Sequence, residues 1–203
     1  MADGKVDRRQ ARTKQLLRSA LMALIEEKGA EGITVTDITT RADVNRGTFY
    51  LHYRDAQDML EQLKTEMLDT LSALFSDIDV YEVKEYAEKD VPYPKMVRLI
   101  EELQRNGDFM KVMFGPKGDL SFGLRMKGLI MKHIWSKISL RQPNLEQFLV
   151  PAEYLLAYTV SANLGVLTHW METGMREAPS EVARFIARII YHGPMMSSGV
   201  RQL

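Results

Sequence analysis

Apolar residues recur three and four positions apart along most of this chain, and no segment shows convincingly the period-two alternation of a strand. Such a chain buries its apolar surface by packing helix on helix. Leu16, Leu17, Ala20, Leu21, Leu24 and Ile25 make one stripe of a helix over about residues 8–28, stopped by Gly29. Thr34 with Asp37 three positions on has the spacing of a capping box and predicts a short helix over about 35–41. After the turn at Asp43-Val44, Asn45 caps a third, over about 46–52. Met59, Leu60, Leu63, Met67, Leu71, Leu74 and Phe75 then keep helical spacing from Asp55 to about Asp77. That is ~34 Å of helix, too long for the small unit before it, so it joins a three-helix domain, residues 1–55, to a separate body, residues 56–203.

Within the body, the acidic stretch 77–91 lacks a clean apolar stripe and is expected to be a surface loop or frayed helix. Pro92 and Pro94 open a helix to about Arg105. Asn106-Gly107-Asp108 ends it and caps a short apolar one containing Phe109, Met110, Val112, Met113 and Phe114. Further helices are expected over about 119–140 and 147–173, and from Pro179-Ser180 onward; the tail 193–203 is expected to be disordered.

The composition removes several classes of function. With 203 residues, 45% hydrophobic and 27% charged, the chain is ordinary globular material. It has no cysteine, which excludes disulfides, Cys-liganded metals and a cysteine nucleophile. His52, His133, His169 and His192 stand without HExxH or clustered carboxylates, so neither a metal nor a cofactor is expected. No Gly-x-Ser-x-Gly elbow, phosphate loop or dinucleotide fingerprint occurs in a supporting strand context, and no catalytic residue is assigned. The N-terminus does not resemble a secretory signal, and no apolar run approaches the roughly 18 residues of a membrane span; a cytoplasmic protein with no membrane partner is expected. Lys plus Arg and Asp plus Glu both total 27, but the basic residues are uneven: Lys5, Arg8, Arg9, Arg12, Lys14 and Arg18 crowd the N-terminus. A basic arm of this kind is either a solvated helix face or a source of phosphate contacts.

Residues 33–53, ITVTDITTRADVNRGTFYLHY, carry the more specific signal. Two short helices joined by a tight turn, the second opening with capping, basic and small residues, are what a helix-turn-helix needs to set a recognition helix in the major groove. Arg46 can bond guanine edges bidentately, Thr48 can meet a base edge or a thymine methyl, and Gly47 lets the backbone come close. Thr34, Thr36, Tyr50, His52 and Tyr53 supply hydrogen-bonding groups for phosphates.

The run Arg46-Gly47-Thr48-Phe49-Tyr50-Leu51-His52-Tyr53, within a match from about Arg9 to Leu63, resembles the DNA-binding domain of the TetR family (TetR/AcrR type) of bacterial transcriptional regulators. The resemblance implies that Tyr50 and His52 contact phosphates, that Asn45, Arg46 and Thr48 face the bases, and that Thr34 and Thr36 lie at the backbone or groove edge. Ala56 stands where the family commonly has a lysine, leaving Arg54 or the N-terminal arm to supply that phosphate contact.

Farther along, Gly165…Trp170-Met171-Glu172-Thr173-Gly174 followed by Pro179-Ser180-Glu181-Val182-Ala183 is similar to a subgroup common in Firmicutes, in which the last two helices pair into a four-helix dimer interface. The residues point the same way: Tyr158, Ala162 and Gly165 on one helix and Val182, Phe185, Ile186 and Ile189 on the next form faces suited to a two-fold contact. Packing within one subunit is the competing reading. Met96, Met110, Met113, Phe114, Met126, Ile130, Trp135 and Tyr158 are candidates for an adaptable apolar pocket, or equally for plain core. The expectation is an all-α protein, an N-terminal three-helix helix-turn-helix domain followed by a helical ligand-binding and dimerisation domain. It is expected to bind a pseudo-palindromic double-stranded DNA operator as a homodimer and to be released as a repressor by a small apolar or amphipathic effector. A regulator or helical adaptor controlled by a protein partner is the alternative.

Overall fold

The computed structural model describes residues 3–141 and 148–199. Among these, every regular element is a helix: α1 (Asp3–Lys28), α2 (Val35–Ala42), α3 (Arg46–Tyr50), α4 (Ala56–Asp77), α5 (Val80–Glu88), α6 (Pro94–Arg105), α7 (Gly107–Phe114), α8 (Leu120–Arg141), α9 (Ala152–Glu172) and α10 (Pro179–Ser197). The described chain divides into two compact units, one of residues 3–67 with 108–122 and one of 68–107 with 123–141 and 148–199. Compactness therefore divides the chain elsewhere than at residue 55.

In the first unit, Leu17, Leu21 and Ile25 of α1, Ile38 of α2, Phe49 of α3 and Met59 of α4 are almost wholly buried. Each such side chain contributes about 1.5–3 kcal/mol relative to exposure, which holds helices too short to persist alone. The α2–α3 turn passes through Asp43, whose left-handed backbone (φ 52°, ψ 46°) is one an aspartate tolerates. The segment 108–122 adds a second layer. Phe109, Met110, Met113 and Phe122 are buried, Phe109 meets Phe122 edge-on at 5.4 Å, and the Arg18 guanidinium lies 5.4 Å from the Phe109 ring. At Gly118 the chain runs so close to α7 that a Cβ would lie 2.3 Å from the carbonyl oxygens of Val112 and Met113.

This unit also buries a charge. Lys64 is 1% exposed and pairs with Glu61 and Asp119. Burial works against the Asp119 carboxylate, but bonds from Lys64 and Ser121 outweigh it and hold its pKa at about 2. Lys117 donates to the Glu27 carbonyl at 2.6 Å, supplying a cation to the last turn of α1.

In the second unit, the acidic stretch expected as a loop or frayed helix contains α5. Asp79 caps it by accepting from the Tyr81 N–H at 2.9 Å, and Val83 and Ala87 are its buried face. Tyr93 is buried beside it, donating its hydroxyl to Glu82, which Lys95 also binds at 2.7 Å. Helix α10 packs on α5 and α6, and Arg188 grips Asp90 through two 2.7 Å bonds. Trp170 closes the α9–α10 turn by donating to the Glu177 carbonyl at 3.0 Å. Past a kink at Gly193 (φ 72°), α10 continues to Ser197, so residues 194–197 are helical where a disordered tail was expected; residues 200–203 lie outside the described residues.

Candidate nucleic-acid interface

Helix α3 is held by its own first residues. The Asn45 side chain accepts from the Gly47 N–H at 2.7 Å, and a Cβ on residue 47 would sit 3.1 Å from that same oxygen. Gly47 thus makes room for the cap as well as leaving the backbone bare. One turn earlier, the Asp37 N–H donates to Thr34 Oγ1 at 3.1 Å while the Thr34 N–H donates to Asp37 Oδ2 at 2.9 Å. The Thr34 bond, with Lys28 beside it, holds the Asp37 carboxyl at about 2. Thr34 and Asn45, read as candidate DNA contacts, therefore carry structural roles at the α2 and α3 starts.

The side chains of Thr34, Thr36, Asn45, Arg46 and Tyr50 and the backbone of Gly47 are exposed, and Thr48 and His52 are half-buried. Arg46 folds onto Tyr50: its Nε and Nη2 donate to the phenol oxygen at 3.2 and 3.0 Å, and its guanidinium carbon lies 5.6 Å from the ring centre. The candidate base-reading cation and phosphate-binding phenol are thereby preorganised as a pair.

Tyr53 is a correction. It is 4% exposed, its ring 5.6 Å from Phe49, and burial pushes its phenol up to about 12. An aromatic with a polar tip satisfies a core position and a DNA position equally in sequence, and here the core takes it. Leu51 went unnoticed for the converse reason: apolar residues at helical spacing are read as core, yet it is 79% exposed. Ala56, in the place where the family commonly has a lysine, is half-buried at the start of α4. Its neighbour Arg54 is exposed but bound to Asp58, with Nη2–Oδ1 at 2.9 Å.

The candidate pocket residues are scattered. Met110, Met113 and Phe114 belong to the first unit, the two methionines as buried core. Met126 is buried in the second unit, and Tyr158 is 54% exposed. Met96 and Ile130 line an apolar cavity of about 100 Å³ in that unit, together with Phe75, Leu99, His133 and Ile186 among others. Trp135 lines a neighbouring cavity of about 190 Å³. His133 Nε2 stands 3.0 Å from Ser72 Oγ, and burial, aided by Lys132 and Lys137, lowers its pKa.

The candidate dimer residues also divide. Val182 and Ile186 are 2% and 5% exposed and pack inside their own protomer, whereas Tyr158, Phe185 and Gly165 are exposed and Ala162 and Ile189 half-buried. A wide apolar face on the last helix supplies both an inner and an outer surface, and the periodicity alone does not separate them.

A capped recognition helix in a packed helix-turn-helix unit, with a second helical unit behind it in sequence, defines a DNA-binding regulator. The comparisons make the class specific. Residues 17–63 match the profile of bacterial regulatory proteins of the tetR family, and residues 90–192, more than half the chain, match that of a transcriptional regulator C-terminal region. The chain belongs to the TetR family of transcriptional regulators, non-enzymatic DNA-binding proteins. Over 60 residues it is 37% identical to the uncharacterized HTH-type transcriptional regulator YxbF of Bacillus subtilis, a match covering 29% of this chain and 16% of that protein. Its fold is similar to that of a TetR transcriptional regulator from Streptococcus agalactiae (TM-score 0.59, 20% identity, 94% of this chain and 99% of that one). It is likewise similar to the fatty acid degradation regulator FadR from Bacillus halodurans (TM-score 0.54, 15% identity, 90% and 96%). No described helix is long and apolar enough to cross a membrane.

Proposed function

We propose that this regulator is a repressor that binds a pseudo-palindromic operator as a homodimer and is released by a small apolar or amphipathic effector. The observation that carries the DNA reading is α3 itself, a capped helix that exposes Arg46 and Tyr50 as a preformed pair and half-exposes Thr48. Arg46 and Thr48 would read base edges, and Tyr50, His52 and Thr36 would hold phosphates. Exposed Tyr154, Leu155 and Tyr158 on α9 and Phe185 on α10 support the dimer, because large apolar side chains are better covered than solvated. The apolar cavities of the second unit favour a small molecule over a protein partner as the signal.

An effector that prefers a conformation with wrongly spaced recognition helices draws the population from DNA. Moving occupancy from 99:1 to 1:99 takes a preference of about 5.5 kcal/mol. Helix α4 supplies residues to both units and is the natural lever. Selection of bound duplexes from a random pool, with sedimentation of the same protein, tests the reading. Enrichment of an inverted repeat by a dimer is expected, and a monomer or a pool left unenriched at low salt contradicts it.

A further inference from the structure

The two cavities of the second unit share part of their lining: Val80, Val83, Ile134, Asn163 and Ile190 border both. Asn163 is the polar residue of that shared wall, and no Asp, Glu, Lys or Arg lines either cavity among the described residues. The titratable side chain among the described lining residues, His133, is engaged by Ser72. A carboxylate, phosphate or ammonium placed here would be stripped of water with no counter-charge from any described lining residue, which is the costliest way to bury a ligand. An amide both donates and accepts, so Asn163 can serve a hydroxyl or a carbonyl equally.

Resting on the reading of this unit as the signal-receiving one, we propose that the paired cavities hold one electrically neutral, elongated apolar molecule. It lies across the shared wall with a single hydroxyl or carbonyl group bonded to Asn163. A dry cavity of ~150 Å³ takes a benzene ring, so two neighbouring cavities of about 100 and 190 Å³ together suit a molecule of roughly ten heavy atoms.

Titration calorimetry of the full chain at pH 7.5 with 2-nonanone, 1-nonanol, nonanoate and nonyltrimethylammonium tests this. The two neutral probes are expected to bind, and the two ions at least tenfold more weakly. Asn163→Leu should weaken 2-nonanone about tenfold, and Ile134→Trp, filling the shared wall, should abolish its binding, each with circular dichroism confirming the fold. Nonanoate binding as tightly as the ketone overturns the proposal without recourse to a variant, as does equal affinity of 2-nonanone for wild type and Asn163→Leu. So does failure of all four probes to bind. Repeating the titration with a selected duplex present separates the two layers. Neutral probes that bind without altering duplex affinity support the ligand class and overturn the effector reading. Duplex release by nonanoate with no neutral probe bound overturns the ligand class and leaves the effector reading standing.

Discussion

In the first unit, element starts coincide with side chains that satisfy free backbone groups: Thr34 and Asp37 at α2, Asn45 at α3, and Asp55, which accepts from the Asp58 N–H at 2.8 Å, at α4. In the second, Asp79 caps α5 in the same way, but α6, α9 and α10 begin at Tyr93, Pro151 and Ala178 with no hydrogen bond from the cap residue's side chain to the helix start. A recognition helix must hold its side chains in fixed register with DNA, and local polar caps do that at short range. The second unit relies more on packing, which leaves room for its two cavities and for more than one arrangement.

The largest blow to this comparison falls on packing within the capped unit. Phe49→Ala should cost about 3–5 kcal/mol, measured by urea denaturation, because Phe49 is the wholly buried side chain of α3. A smaller loss would show that the caps, not the core, hold the helix. Gly118→Ala should cost roughly 1–3 kcal/mol, since its Cβ meets two backbone carbonyls at 2.3 Å. Full stability in the same denaturation would contradict that approach.

Asn45→Ala removes the α3 cap and should cost about 0.5–2 kcal/mol. Hydrogen exchange at Gly47 and Thr48 should quicken before the second unit responds. The gentlest perturbation is acid. Asp37 titrates at about 2 in the folded chain against an ordinary 3.8. Its contribution is therefore complete above about pH 4 and is lost as the pH falls towards 2. Thermal melts between pH 5 and 2 should show a shallower acid limb in Asp37→Asn than in wild type, and identical limbs would dismiss the capping carboxylate as a source of stability.

The same contrast explains how much of the molecule could be read from its residues. The Thr34–Asp37 box and the Asn45 cap were legible because donor, acceptor and spacing lie within four residues. Helix α5 was obscured because Asp79 and its acidic neighbours resemble a solvated loop until Val83, Ala87 and Tyr93 find their partners. The candidate pocket residues divide between the two units for a related reason. Met110 and Met113 differ in no local respect from Met96, and only the return of residues 108–122 to the first unit assigns them to its core. Val182 and Ile186 were assigned to the outside of α10 because a stripe has no label saying which neighbour covers it.

We propose that α3 reads bases through Arg46 while Tyr50 and its neighbours hold the backbone. Parallel selection from one random duplex pool by wild type and Arg46→Ala tests it most directly. The variant should lose preference at one symmetry-related pair of positions and bind the best wild-type site about 1–3 kcal/mol more weakly. An unchanged sequence preference with uniformly weaker binding would make Arg46 a phosphate contact and contradict the claim.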